Sequence, residues 1–289
     1  MLSIQIVTYN SEKIIQGCIE SIFKLNLRDF EIIVIDNAST DKTIKVIEEL
    51  KEKKSNIVLI KNSYNAGFAK AHNQASKIAK GDYIFILNPD TVFIKESTNG
   101  YLESLTKGEN GAAYGFLFYN EDLTIQPTIG VFPNIFRIVF DRLPLLKTNL
   151  GIVIRDKKFY REKRRVDWVC GCGFLISRKN FLSIEGFNEE YFLYCEDIEI
   201  CKRLNQKNID IVFDPNVSFI HFKESRDEIK RPEKYFRMRQ GLVLYFKKYR
   251  PKIEQTLLKI IIKIESVTKL LFHTKDKNWI ENIRRVRKL

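Results

Sequence analysis

Four short polar segments of this 289-residue chain carry side chains suited to chemistry, and each follows an apolar run. They are Thr8-Tyr9-Asn10, Asp36-Asn37, the loop from Asn62 to Gly67, and Asn88-Pro89-Asp90. Their carboxylates, amides and hydroxyls are groups that a nucleotide site requires. The sequence has neither a GxGxxG nor a P-loop pattern to cradle a diphosphate, so the diphosphate would need another counter-charge. We therefore expect a divalent cation held by Asp90.

A fifth segment, Glu196-Asp197, follows the aromatic run 191–194 and precedes apolar residues at helical spacing. A carboxylate beside aromatic rings keeps a useful basicity, because the rings exclude water. Two acids at a helix N-terminus also stabilise the helix dipole, by about 0.3–1 kcal/mol each. The pair therefore has both a catalytic and a purely structural interpretation.

The elements that must position these segments alternate along the first ninety residues. Helical patterns that begin near Ser11, Ser39 and Phe68 separate four apolar runs, at 3–8, 31–35, 57–60 and 83–87. Such alternation predicts a βαβαβαβ unit with a parallel sheet covered on both faces. The carboxyl ends of parallel strands meet at one edge of the sheet, where ligands bind. The polar segments should converge there.

Composition and charge narrow the class of protein. A hydrophobic content of 44% with 29% charged residues excludes disordered, collagen-like and disulfide-rich chains. The net charge is +13, but residues 131–166 carry +7 and residues 223–289 carry +12, while the rest of the chain is mildly acidic. The basic groups show no nucleic-acid-binding motif and the strand-end crevice is acidic, so we predict no nucleic-acid partner. We predict a domain at 1–222, with an apolar and basic insert at 131–166, and a helical extension at 223–289.

Six ordered blocks within residues 2–222 carry a resemblance to a known family. They are residues 6–11, 34–41, 65–73, 87–91, 171–178, and 186–192 with Glu196-Asp197. Together they resemble the inverting, metal-dependent family 2 glycosyltransferases, and within them the rhamnosyltransferase-like branch. The resemblance implies the GT-A fold, a Rossmann-like sandwich with a mostly parallel central sheet.

The resemblance also implies a donor site. Asp36 matches the carboxylate that accepts a hydrogen bond from a uracil or thymine ring nitrogen, although capping of the following turn is its alternative role. The implied donor-binding residues are Thr8, Tyr9, Asn10, Asp36, Asn65, Gly67, Asn73 and Asn88.

The resemblance implies a metal site and a base. Asn88-Pro89-Asp90 stands where the family has a D-x-D motif, so Asp90 would hold Mg²⁺ or Mn²⁺ alone or together with His221. An ordinary turn and a structural histidine are the alternatives for these residues. Asp197 matches the general base, and Glu196 would orient the acceptor. A zinc site formed by Cys170, Cys172 and Cys195 is disfavoured by its spacing.

The implied function is transfer of a sugar, with rhamnose a candidate, from a dTDP- or UDP-sugar to a lipid-linked saccharide in bacterial cell-surface polysaccharide synthesis. A non-catalytic protein that binds a nucleotide sugar or a partner with the same fold is the alternative, and it is suggested by the amide at Asn88. Metal-dependent turnover discriminates the two.

The extension contains an amphipathic basic helix. Its apolar residues recur at steps of four and three and lie among lysines: Ile253, Leu257, Ile260, Ile264, Val267 and Leu271. This pattern predicts binding to an anionic membrane surface, with packing on the domain or a homodimer through these helices as alternatives. The N-terminus shows no signal-peptide pattern and no apolar run approaches about 20 residues, so we predict a cytoplasmic, peripheral membrane protein.

Overall fold

The computed structural model describes residues 1–25, 27–94, 98, 100–107, 111–141, 151–222, 231–272 and 276–289. Its strands are β1 (Leu2–Thr8), β2 (Phe30–Asp36), β3 (Ile57–Lys61), β4 (Tyr83–Leu87), β5 (Thr91–Phe93), β6 (Ala113–Tyr119), β7 (Ile125–Gln126), β8 (Ile129–Gly130), β9 (Arg164–Arg165), β10 (Trp168–Val169), β11 (Gly173–Ser177) and β12 (Ile211–His221). Its helices are α1 (Ile15–Phe23), α2 (Thr43–Lys53), α3 (Phe68–Ile78), α4 (Tyr101–Lys107), α5 (Ile135–Asp141), α6 (Arg178–Ser183), α7 (Glu196–Gln206), α8 (Arg231–Tyr249), α9 (Lys252–Phe272) and α10 (Lys277–Arg287), and a 3₁₀ turn spans Lys157–Tyr160.

The first four strands form the parallel half of one sheet, in the order β3-β2-β1-β4. The side chains of β1, β2 and β4 are almost entirely buried, as expected for strands covered on both faces, whereas the edge strand β3 is mostly half-buried. The predicted βαβαβαβ unit is thus confirmed. The predicted start of the first helix at Ser11 was early, because residues 12–14 form a turn and α1 begins at Ile15. The third helix begins at Phe68, as predicted.

The second half of the sheet is mixed. β11 runs antiparallel between β4 and β6, β12 is parallel to β6, and β5 closes the sheet antiparallel to β12. β11 extends the sheet beside β4 and β12 ends at His221, so chain segments far apart in sequence meet at the same sheet edge as Asp90. The expectation of a mostly parallel central sheet is confirmed.

Helices α8, α9 and α10 pack on one another and on the sheet domain. Glu199 of α7 accepts hydrogen bonds from Lys248 Nζ at 2.9 Å and Tyr249 Oη at 2.8 Å, both at the end of α8. At the start of α5, the Ile135 amide donates to Glu254 of α9 at 2.9 Å. The predicted domain boundary lies between residues 222 and 223, and residues 223–230 lie outside the described residues. Residues 142–150 of the predicted insert also lie outside them. None of the described helices is both long and apolar enough to cross a bilayer.

Candidate active site

A cleft of about 230 Å³ opens at the carboxyl ends of β1 and β4. Of the residues implied to bind the donor or metal, those that line it are Thr8, Tyr9, Asn65, Gly67, Asn88 and Asp90. The structure therefore brings together side chains from three loops of the parallel half of the sheet. Asn10, Asp36, Asn73, Glu196, Asp197 and His221 lie outside this lining and are described in turn.

Asp36 is fully buried at the end of β2. It pairs there with Thr8 of β1, which lines the cleft. Its carboxylate accepts hydrogen bonds from Thr8 Oγ1 at 2.9 Å, from the Ser39 amide at 2.9 Å and from Ser39 Oγ at 2.5 Å. These contacts give Asp36 the turn-capping role named as its alternative. They also hold Thr8, which does line the cleft. A bond from Asp36 to a nucleobase remains a prediction.

Asn10 and Asn73 each form hydrogen bonds with a second segment of the chain. Asn10 has a left-handed backbone, and its Oδ1 accepts from the Thr40 amide at 2.8 Å. Asn73 on α3 exchanges two 2.9 Å hydrogen bonds with the backbone of Phe187, which fixes the loop before the predicted base. In the structure both amides therefore position loops around the cleft, and their predicted contact with the donor stays a prediction.

Asp90 contacts His221 directly, as predicted for a shared metal site. His221 Nε2 lies 3.1 Å from Asp90 Oδ2, and both residues are buried. The other ring nitrogen, Nδ1, lies 3.0 Å from Gln126 Oε1. Gln126 Nε2 donates to the His221 carbonyl at 2.9 Å, which fixes the amide with its oxygen towards the ring. Nδ1 therefore carries a proton, and Nε2 is the ring nitrogen that faces Asp90.

This geometry suits a divalent cation. An imidazole nitrogen and a carboxylate oxygen are both metal ligands, and here they face each other. Two neighbouring ligands of an octahedral Mg²⁺ with bonds of about 2.1 Å stand about 3 Å apart, close to the observed separation. The bond from Nδ1 to Gln126 is the kind of outer-shell contact that orients a ligating histidine.

The protein would supply only part of such a metal site. No cluster of three or more His, Cys, Asp or Glu side chains suited to a metal occurs in the part of the chain that the structure describes, which includes Cys170, Cys172 and Cys195. A hard cation at Asp90 and His221 would take its other ligands from water and from substrate oxygens.

Asp197 and Glu196 open α7 after a strained turn. Tyr194 and Cys195 both have left-handed backbones, with φ of 70° and 68°, a costly conformation for residues other than glycine. Asp197 is half-buried and accepts from the Ile198 amide at 2.8 Å and the Gly171 amide at 3.4 Å. Burial raises the pKa of Asp197 despite these two bonds. A base with a raised pKa holds an abstracted proton better than an ordinary aspartate does.

Glu196 differs from its neighbour in its contacts. Its side chain is buried, and Oε2 has no hydrogen-bond partner among the described residues. Burial first, and the charge of Asp197 second, raise the pKa of Glu196 well above its usual value. An unsatisfied buried carboxyl is costly to the fold, and it is the kind of group a hydroxyl ligand would satisfy.

Gly171 connects Asp197 to the cleft. A Cβ at Gly171 would lie 3.5 Å from Cβ of Asp197 and 3.6 Å from Cζ of Phe68, whose side chain lines the cleft. Gly171 therefore lies close both to the predicted base and to a residue of the cleft wall.

Nothing in the sequence predicted that helix α8 lines the cleft. Arg237 and Glu233 of α8 line the cleft together with Phe192, and Arg237 is the single cation among the described residues that line it. Its guanidinium lies 4.3 Å from the centre of the Phe192 ring and donates to Glu233 at 2.8 Å. Glu233 in turn accepts from Arg285 of α10 at 2.5 Å. The only clue in the sequence was that the predicted diphosphate site lacked a counter-charge besides the metal.

Comparisons with known proteins agree with this geometry. The family model for glycosyl transferase family 2 matches residues 3–180. A second model, described as the N-terminal domain of galactosyltransferase, matches residues 152–239 and so spans Asp197, His221 and Arg237. The N-acetylglucosaminyl-diphospho-decaprenol L-rhamnosyltransferase of Mycobacterium tuberculosis is 24% identical over 237 residues, which are 77% of this chain and 76% of that protein.

Two solved structures show the same fold at low identity. TarS 1-349 of S. aureus, in complex with UDP-GlcNAc, has a TM-score of 0.59 and 17% identity and covers 97% of this chain and 79% of that one. GalNAc-T7 with UDP, GalNAc and Mn²⁺ has a TM-score of 0.59 and 18% identity and covers 77% of this chain and 44% of that one. These likenesses confirm the predicted GT-A fold, and the family match covers more than half of the sequence. The chain belongs to glycosyl transferase family 2 and is similar to its rhamnosyltransferases.

Proposed function

We propose that the chain is an inverting, metal-dependent glycosyltransferase that acts on a lipid-linked saccharide in polysaccharide synthesis. The observation that carries this proposal is that the Asp90–His221 pair and Asp197 flank one cleft. A single displacement needs a cationic site for the leaving diphosphate and a proton acceptor for the incoming hydroxyl. The named activity of the mycobacterial relative supports rhamnose as the sugar, from a dTDP- or UDP-activated donor.

The donor would lie with its diphosphate near Asp90. Asp90 and His221 would hold Mg²⁺ or Mn²⁺, which supplies Lewis-acid stabilisation of the diphosphate charge. Mn²⁺ in the GalNAc-T7 structure supports this choice of ion. Arg237 of α8 would add a second positive charge, and its planar guanidinium suits phosphate oxygens. Asn88, Asn65 and Thr8 offer hydrogen bonds to hydroxyls of the donor.

The acceptor would enter beside Asp197. Asp197 takes the proton of the acceptor hydroxyl as that oxygen bonds to the anomeric carbon. The bond from the anomeric carbon to the diphosphate oxygen breaks with its electron pair, and the configuration inverts. Glu196 orients the acceptor through its buried carboxyl.

The proposal includes peripheral binding to an anionic membrane on the cytoplasmic side. All six apolar residues of the predicted helix are exposed on α9, and Phe272 is 84% exposed, while the opposite face buries Leu258 and Ile262. Phe136 on the neighbouring α5 is also 73% exposed. Packing on the domain therefore does not cover this face, which leaves a membrane or a second protomer to do so. The surrounding lysines favour the membrane.

A panel of nucleotide sugars, with and without Mn²⁺, tests the enzymatic proposal. We expect transfer to a prenyl-diphosphate saccharide with metal only, and an inverted anomeric configuration in the NMR spectrum of the product. The absence of binding, hydrolysis and transfer for every donor would refute it. Binding without turnover would instead support the non-catalytic alternative suggested by Asn88.

A further inference from the structure

Helices α8, α9 and α10 line an open surface cavity that is separate from the active-site cleft. This tail cavity has a volume of about 220 Å³, and its lining includes four cations: Lys259, Lys263, Arg287 and Lys288. Its apolar lining comes from Val243, Ile262 and Val286. A neighbouring cavity of about 340 Å³ shares Val243 and Lys259 with it and adds Lys247. Neither lining contains an aspartate or a glutamate.

These four cations line one cavity and, among the described residues, lack the carboxylate partners that several basic residues of the same helices have. Arg239, Lys248, Arg250 and Arg285 each form an ion pair with a carboxylate. Within the described ranges, no ion pair involves Lys259, Lys263, Arg287 or Lys288. Like charges gathered around one cavity repel, and a bound anion offsets that repulsion. Phosphate fits best, because lysine and arginine donate to its oxygens as charged hydrogen-bond partners.

The position of the tail cavity indicates where such a phosphate comes from. Lys259 and Lys263 each precede a residue of the exposed apolar face of α9, Ile260 and Ile264. On a helix, adjacent residues project about 100° apart, so the lysines lie at the edge of that face. If the apolar face enters the acyl region of a bilayer, its edge lies at the depth of the headgroups. The apolar lining beside the cations suits a ligand that carries an alkyl chain.

We propose that the tail cavity binds the phosphate of an anionic phospholipid and so fixes how the enzyme sits on the membrane. The inference rests on the membrane part of the proposed function. It adds a defined lipid site to what would otherwise be attraction by diffuse charge. The two kinds of binding can be distinguished by measurement. Binding by diffuse charge weakens according to the number of charges removed, whereas binding at a defined site weakens only when the charges of that site are removed.

Two variants of the full chain with equal net charge test the proposal. The cavity variant is Lys259→Gln/Lys263→Gln/Arg287→Gln, and the control is Lys252→Gln/Lys277→Gln/Arg284→Gln, whose side chains are exposed on α9 and α10 away from the cavity. Flotation is measured with phosphatidylcholine vesicles that contain or lack about 30 mol% phosphatidylglycerol. Circular dichroism and thermal unfolding confirm that both variants fold. We expect the cavity variant to bind the anionic vesicles at least about tenfold more weakly than the control does.

Equal losses in the two variants would overturn the site while leaving membrane binding intact. If the wild type does not float with the anionic vesicles, both the lipid site and the proposed membrane binding are overturned. Displacement of the wild type from vesicles by millimolar inorganic phosphate would assign the cavity to free phosphate. Stronger binding to vesicles that carry polyprenyl phosphate would assign it to the prenyl carrier. Either result would overturn the proposal that the cavity binds a phospholipid. Sugar transfer by the wild type to a water-soluble acceptor tests the enzymatic proposal separately.

Discussion

Replacement of Gly241 by alanine tests whether α8 is part of the active site. Gly241 lies in the middle of α8, where it faces the strained turn before Glu196. A Cβ there would lie 2.7 Å from the carbonyl oxygen of Tyr194 and 2.8 Å from Cβ of Cys195. Ordinary contacts begin near 3.4 Å, so the helix and the turn must separate by about 0.7 Å.

The size of that shift sets the expected effect. Overpacking against backbone costs about 1–3 kcal/mol, while alanine in place of glycine in a helix contributes about 1 kcal/mol in the other direction. The net loss of stability should be about 0–2 kcal/mol, so the variant folds. The activity should change more. Asp197 follows the turn directly, and a displacement approaching 1 Å at a reacting group lowers the rate by up to about 100-fold.

The assay compares kcat for sugar transfer with the free energy of unfolding in urea. Gly17→Ala is the matched control, because Gly17 is exposed within α1 and a Cβ there meets only Val92 Cγ2, at 3.9 Å. We expect Gly17→Ala to gain about 0.5–1 kcal/mol with unchanged kcat. We expect Gly241→Ala to lose about 10- to 100-fold in kcat. If Gly241→Ala matches Gly17→Ala in both measurements, α8 does not position the turn, and the reasoning is wrong.

The remaining predictions concern the site itself. Asp197→Asn should lower kcat by about 10²- to 10⁴-fold and leave the donor Kd unchanged in titration calorimetry; a loss of donor binding would contradict the role of a base. Ionisation of buried Glu196 opposes folding, because its pKa is raised in the folded state, so stability declines as pH rises above the ordinary pKa of 4.5. Glu196→Gln should therefore be more stable than the wild type in urea at neutral pH, and the difference in stability should shrink on acidification. A difference that does not depend on pH would refute the argument. Asp90→Ala and His221→Ala should each weaken Mn²⁺ binding in calorimetry, and a chelator should abolish transfer. Arg237→Gln should raise the donor Kd by about 10- to 100-fold, as expected for a lost charged hydrogen bond of about 1.5–3 kcal/mol, with partial recovery in Arg237→Lys.

The parallel half of the fold could be predicted because its signals are local. Strands β2 to β4 are largely continuous apolar runs, and β1 carries apolar residues around Ser3 and Gln5; each strand is followed by a polar segment that the sequence shows directly. The second half could not be predicted in this way. β6 pairs with β11 and β12, far away in sequence, and periodicity carries no information on such pairings.

The site was predictable to the extent that a residue's own type decides its chemistry. Asp90 and His221 were paired in advance, and the structure places them in contact. Asn73 shows where prediction from residue type fails. An amide side chain can form hydrogen bonds with a nucleotide or with a backbone, and only the fold brings the backbone of Phe187 within reach of Asn73. Arg237 was missed for a related reason, because its helical pattern predicts a surface helix and says nothing about the cleft.

The excess positive charge of the insert and tail proves to serve several purposes. Lys163 of the insert pairs with buried Asp214 at 2.9 Å, and Lys248 of the tail pairs with buried Glu199 at 2.9 Å. Such pairs join the basic segments to the mildly acidic domain, so their charge is not available to a membrane. Arg237 faces the cleft instead. A net charge of +12 for residues 223–289 therefore overstates the attraction to lipid, and the salt dependence of vesicle binding should report only the cations that lack a carboxylate partner.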